Sequence, residues 1–311
     1  MISSVLLMSC RHVPEDNREQ PLVIATLFPH YDIVKHLAGE WLDVELLLPP
    51  GADYHSFEPS SRTMVRMKSA DLIVFTGIDI EPWITTLIEE GVPTLDLSKN
   101  IPLMEADHHH HHTWYQDVWY WFIGLFGLSH DHHHIDPHYW LDPLNAMIMV
   151  NDIAEVLVTI LPERDVEINE NRDRYLSELD SLHEAFLDLV DHAEVMTVMH
   201  GGHNAFSYFA ARYGIDYYTP YRGFSSDAEP TPQALSEMIN RMNELNIEHL
   251  FSEMLISPHV AQAITENTNA TILYLYAAES IPIDDYERGF SFIDMLKHNL
   301  AQFKIGMRYN P

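Results

Sequence analysis

The chain has 311 residues, with 47 Asp and Glu against 17 Lys and Arg, for a formal net charge of −30. That balance excludes nucleic-acid binding, which needs cationic side chains to neutralise phosphates, and it is compatible with attracting cations or with plain solubility. The length suits one large or two medium domains, and a single cysteine, Cys10, excludes an internal disulfide.

Taken in chain order, Cys10 closes the apolar run "VLLMSC", which resembles the lipobox of bacterial lipoproteins. Its leader carries no basic residue, unlike a normal signal n-region. The expectation is an exported, lipid-anchored protein in the periplasm or on the outer face of the cell membrane, with 1–20 as leader and tether. No run reaches the roughly 20 apolar residues of a spanning helix. LVIATLF (22–28), DVELLL (43–48), DLIVFTG (71–77) and PTLDL (93–97) read as buried parallel strands. Helical spacing fills 30–39, 60–69 and 80–91 between them. This alternation predicts an α/β lobe over 21–164. A histidine-rich insertion, 107–134, interrupts it.

A helix is expected from Asn145 to about Ile160, broken at Pro162. A second runs over 165–193, with Ile168, Tyr175, Leu179, Leu182, Phe186, Leu189 and Val190 on one apolar stripe. At 1.5 Å per residue it is about 42 Å long, which suits a link between lobes. The alternation then resumes over 194–311, with strands at 194–200, 249–253 and 270–276 and helices at 204–213, 232–245, 258–267 and 287–307. The predicted fold is α/β: two lobes with parallel β-sheets flanked by helices, joined by one long rigid helix.

Ligands of open parallel sheets bind beyond the carboxyl ends of the strands. The metal-capable side chains that fall there are His55, His138, His203 and Glu253. Three neutral imidazoles suit Zn²⁺, whereas an all-oxygen set favours Mg²⁺, Ca²⁺ or Mn²⁺. A lone loop histidine is more often a surface or hydrogen-bonding residue, so spacing alone is weak evidence.

"GADYHSFEPS", "DPHYWLDP", "HNAFSYFAARYG" and "DAEPTP" together resemble four ordered motifs of the periplasmic metal-binding proteins of bacterial zinc and manganese ABC transporters, the ZnuA/TroA group. The resemblance implies one metal ligand from each of the first three motifs: His55, His138 and His203. It further implies a monomeric receptor that captures Zn²⁺ between its lobes and delivers it to an ABC transporter permease. A histidine at the third position tilts the choice from Mn²⁺ to Zn²⁺, with His200 a structural neighbour. At the fourth position, where the family usually has Asp, this chain has Tyr276, a poor ligand while protonated. Glu279, a water or Glu253 then completes the site.

His108, His109, His110, His111, His112, His130, His132, His133 and His134 crowd the insertion just ahead of the second motif. They are expected to serve as auxiliary, low-affinity metal sites. The aromatic block 114–128 between the two clusters is either a flap on the protein or an interfacial membrane contact. A manganese receptor and a metal-binding adhesin are the alternatives. A zinc hydrolase is a further one, disfavoured because no HExxH, GxSxG or phosphate-cradling loop is present. Neutral imidazole is the ligand form, so metal uptake is expected to weaken below about pH 6.

Overall fold

The computed structural model describes residues 18–39, 41–104, 135–221, 223–224 and 229–311. Its first half is built around β1 (Leu22–Ala25), α1 (Phe28–Ala38), β2 (Asp43–Leu46), α2 (Ser61–Met67), β3 (Leu72–Phe75), α3 (Thr85–Glu89) and β4 (Thr94–Asp96). The strands form one parallel sheet in the order β2-β1-β3-β4, with Val23 opposite both Val44 and Leu72. β1 and β3 read LVIA and LIVF and are buried on both faces, as expected of a parallel sheet covered on two sides. Alternation sorts their side chains. Leu22, Ile24, Ile73 and Phe75 join an outer cluster with Met67 and Leu87, whereas Val23, Leu72 and Val74 face the main core with Ile33, Val34 and Leu37 of α1.

Two long helices follow. Asp142 caps α4 (Pro143–Ile160) by accepting from Leu144 N, and Pro143 takes the first helical position, where a missing N–H costs nothing. α4 has the length and apolarity of a membrane span, with a mean hydropathy of 1.4. Its apolar residues Ala146, Met149, Val150, Ile153, Ala154 and Leu157 lie in the main core. In α5 (Asp165–Asp191) the predicted stripe is buried from Ile168 to Leu189, with Val190 partly so. The early part of α5 ties to the first half through Tyr175 Oη to Asp32 and Asn171 Nδ2 to Leu37 O. The later part meets the second half through His183 with Tyr213 and Asp188 with Tyr309.

The second half comprises β5 (Thr197–Met199), α6 (Ser207–Tyr213), β6 (Asp216–Tyr218), α7 (Pro232–Leu245), β7 (His249–Glu253), α8 (His259–Thr265), β8 (Thr271–Leu275), α9 (Ile283–Glu287) and α10 (Phe292–Gly306). Parallel ribbons β5-β6 and β7-β8 are joined by the bridge from His200 to Phe251. The resulting order, β6-β5-β7-β8, repeats that of the first sheet. Met199 and Leu250 pack outward with Met238, Met242 and Ile264, while Val198 and Phe251 enter the main core with Phe206 and Phe303. The architecture is thus α/β, two lobes with parallel sheets flanked by helices and a long helix running along both.

Two elements differ from the sequence expectation. β6 is a three-residue strand, DYY, too short for period-two alternation to register. The helix expected over 287–307 begins later, at Phe292, as α10, and the separate short helix α9 precedes it. Ser291 and Asp294 form a reciprocal capping box that starts a new helix, just after Gly289 turns at φ 72°.

Candidate metal centre

The three predicted histidines come from three separate loops. After β2 the chain enters a loop in which Asp53 Oδ1 accepts from His55 N at 2.7 Å, an Asx turn. Tyr54 is buried and His55 half-buried. His138 sits just ahead of a 3-10 turn, Tyr139–Leu141, and is fully enclosed. Asp136 Oδ1 accepts from His138 N at 3.0 Å and lies 2.8 Å from His138 Nδ1. The two aspartates of "DPHYWLDP" therefore do different work, Asp136 orienting an imidazole and Asp142 capping a helix. His203 follows β5 through Gly201 and Gly202, and its Nδ1 lies 2.8 Å from Glu253 Oε1, at the end of β7.

These loops aim three imidazoles at one point. His203 Nε2 is 3.3 Å from His55 Nε2 and 3.0 Å from His138 Nε2. His55, His138 and His203 each offer an atom within 4.8 Å of the others, and so do His203, Glu253 and Glu279. His203 belongs to both groups. Because Asp136 and Glu253 face the Nδ1 atoms of His138 and His203, the Nε2 atoms are the ones left for a cation.

The site's protonation follows from burial and charge. Burial, reinforced by His203 and His55, holds His138 well below its ordinary range. For His203 burial also opposes charging, yet the Glu253 carboxylate, with Glu279 and Asp136 beyond it, outweighs burial and raises its pKa to about 9. Burial raises Asp136 to about 7, and Glu279 likewise to about 7 against the pull of His203. A proton therefore competes for His203 at a higher pH than the expected onset near 6.

Gly202 makes the His203–Glu253 contact sterically feasible. A Cβ there would lie 2.2 Å from Glu253 Oε1 and 2.8 Å from His200 Cε1. His200 stands behind the cluster, its Nδ1 2.8 Å from the Tyr217 hydroxyl and its Nε2 3.7 Å from Glu253 Oε1. Burial lowers its pKa to about 4. Tyr276 faces elsewhere and donates its hydroxyl to Asp285 at 2.8 Å. Asp136 and Gly202 were not singled out from the sequence. An Asp two residues ahead of a histidine is a local turn signal that points to the first, whereas Gly202 depends on where β7 ends. Cys10, the nine insertion histidines and the aromatic block 114–128 lie outside the described residues.

Residues 23–306 match the family described as ZnuA, the periplasmic zinc-uptake complex component A. The chain belongs to this family. Among ZnuA-type relatives, the zinc-binding lipoprotein AdcA of Streptococcus pneumoniae is 26% identical over 292 residues, covering 91% of this chain and 55% of its own. This chain thus spans about half the length of that relative. The high-affinity zinc uptake system protein ZnuA of Bacillus subtilis is 26% identical over 286 residues, covering 91% of this chain and 86% of its own. The crystal structure of the metal-dependent lipoprotein YcdH of Bacillus subtilis superposes with a TM-score of 0.76 at 24% identity, over 93% of this chain and 100% of that one. That likeness carries the two-lobe fold of the ZnuA family.

Proposed function

We propose that the chain is the zinc receptor of a bacterial ABC importer, which captures Zn²⁺ in the cleft between its lobes and delivers it to the permease. In this reading His55, His138, His203 and Glu279 are the ligands, and Glu253 stands behind His203. Residues 21–164 and 194–311 form the lobes, with 165–193 connecting them. The insertion histidines act as an auxiliary reservoir, and Cys10 anchors the protein at the outer face of the membrane or in the periplasm.

The observation that carries this reading is the approach of three Nε2 atoms to 3.0 and 3.3 Å. Two nitrogens each bound at about 2.0–2.1 Å to one tetrahedral zinc lie roughly 3.3 Å apart. Two such lone pairs face each other unfavourably unless a proton or a cation stands between them. With His203 protonated, its Nε2–H points at the Nε2 of His138, and Zn²⁺ takes the place of that proton. Glu279 brings the negative charge that three neutral imidazoles lack.

Titration of the protein against a chromophoric chelator tests this. One tight zinc per chain is expected, lost in His203→Ala, with Mn²⁺ bound more weakly. Tighter Mn²⁺ binding would favour a manganese receptor. Zinc-dependent cleavage of a generic ester that disappears in His203→Ala would favour a hydrolase. An anomalous zinc peak away from His55, His138 and His203 would sink the ligand set.

A further inference from the structure

The segment 276–281 leaves the second sheet after β8 and carries Glu279 to the site. Its backbone is tied at Tyr276, Ala277, Glu279 and Ile281. Asn299 of α10 accepts from Tyr276 N through Oδ1 at 2.8 Å and donates to Tyr276 O through Nδ2 at 2.8 Å. One amide thus occupies both groups that a further strand would pair. Trp140 Nε1, two residues beyond His138, donates to Ala277 O at 2.8 Å. Ala278, buried, adopts φ 67°, a left-handed conformation that costs a non-glycine residue energy and persists only where its surroundings enforce it. Glu279 O accepts from Phe28 N at 3.1 Å, and Ile281 O accepts from Gly51 N at 2.8 Å. Phe28 opens α1, and Gly51 lies in the loop that bears His55. The anchors therefore include the segments of both His55 and His138, together with a helix of the other lobe.

We infer that 276–281 is a strap that registers Glu279 against the imidazoles, with Asn299 and Trp140 as its positioning residues. The inference rests on Glu279 being the fourth ligand. Neither Asn299 nor Trp140 touches the metal in this scheme. Each fixes a carbonyl of the strap, the left-handed turn at Ala278 follows, and the Glu279 side chain is delivered to His203.

The test is a pair of double-mutant cycles in the full chain. Trp140→Phe removes the indole N–H while keeping an aromatic ring beside His138, and Asn299→Leu removes the amide clamp. Each is made alone and with Glu279→Ala, and zinc affinity is read by chelator competition. The visible absorption of the Co²⁺-loaded protein reports coordination geometry. Each single variant is expected to lose about tenfold in zinc affinity, as residues that orient a ligand typically do. Its Co²⁺ spectrum should move toward that of Glu279→Ala, and neither variant should add a loss in the Glu279→Ala background. Equal losses in both backgrounds, or no loss, would overturn the strap. Should Asn299→Leu not fold, Trp140→Phe alone decides. An unchanged zinc affinity in Glu279→Ala itself would instead overturn the ligand assignment on which the strap rests.

Discussion

β3 and β7 hold the same place in their sheets, each lying beside the first strand, and each leads to a buried glutamate. The two carboxylates meet different partners. Glu81, just beyond β3, accepts from Thr76 N at 2.6 Å and from the Thr26 hydroxyl at 3.1 Å, both neutral donors. Burial outweighs those bonds and raises Glu81 to about 7. Glu253, at the end of β7, lies 2.8 Å from His203 Nδ1 and is the strongest influence holding His203 up near 9 against burial. A buried carboxylate among neutral donors drifts toward protonation, whereas one facing an imidazole stabilises its cation. Equivalent strands thus lead to a carboxylate held by neutral donors in one lobe and to one facing the candidate site in the other.

The largest expected effect breaks the second lobe's side of this contrast. With free zinc at a thousand times its dissociation constant, binding stabilises the native state by about 4 kcal/mol. That gain, measured by urea denaturation with and without zinc, should vanish in His203→Ala. Its persistence would mean that the metal binds elsewhere.

Next comes Glu81. Its folded pKa lies above the ordinary 4.5, so the fold favours the neutral acid. Its contribution is complete below pH 4.5 and is lost as pH rises through about 7, for roughly 3 kcal/mol by linkage. Glu81→Gln cannot ionise, so its stability relative to the parent should improve by about that amount between pH 4 and pH 8. A constant difference between the two proteins would show that Glu81 titrates normally.

Two glycines separate packing from chemistry. A Cβ on Gly306 would meet Phe251 Cζ at 2.2 Å, and one on Gly202 would meet Glu253 Oε1 at 2.2 Å. Both alanine variants overpack and should cost about 1–3 kcal/mol in chemical denaturation. Only Gly202→Ala should also weaken zinc binding, because only it displaces the carboxylate behind His203. The smallest effect is expected for Glu253→Gln, which keeps the shape and removes the charge. Zinc affinity should fall about tenfold, and the His203 pKa, followed by NMR, should fall from about 9. An unmoved pKa would separate Glu253 from His203.

Much of this molecule is legible in its chain. The run LVIATLF contains β1, the alternation of short apolar runs with helical patterns marks the α/β class, and the stripe from Ile168 to Leu189 is the buried face of α5. His55, His138 and His203 stand in motifs that draw attention before any coordinates are known, and the three do converge. β6 escaped because three residues carry no period, and α10 starts later than expected because Ser291 and Asp294 cap it inside the expected span.

The division has a physical basis. Periodicity, caps and Asx turns act over a few residues, so neighbouring side chains along the chain suffice to specify them. That Glu253 meets His203, that Gly202 leaves room for the carboxylate, and that Tyr276 turns to Asp285 while Glu279 reaches the site all depend on contacts between segments far apart in sequence. Such contacts exist only once both sheets have packed against the shared core, and the same packing decides which buried groups hold their protons.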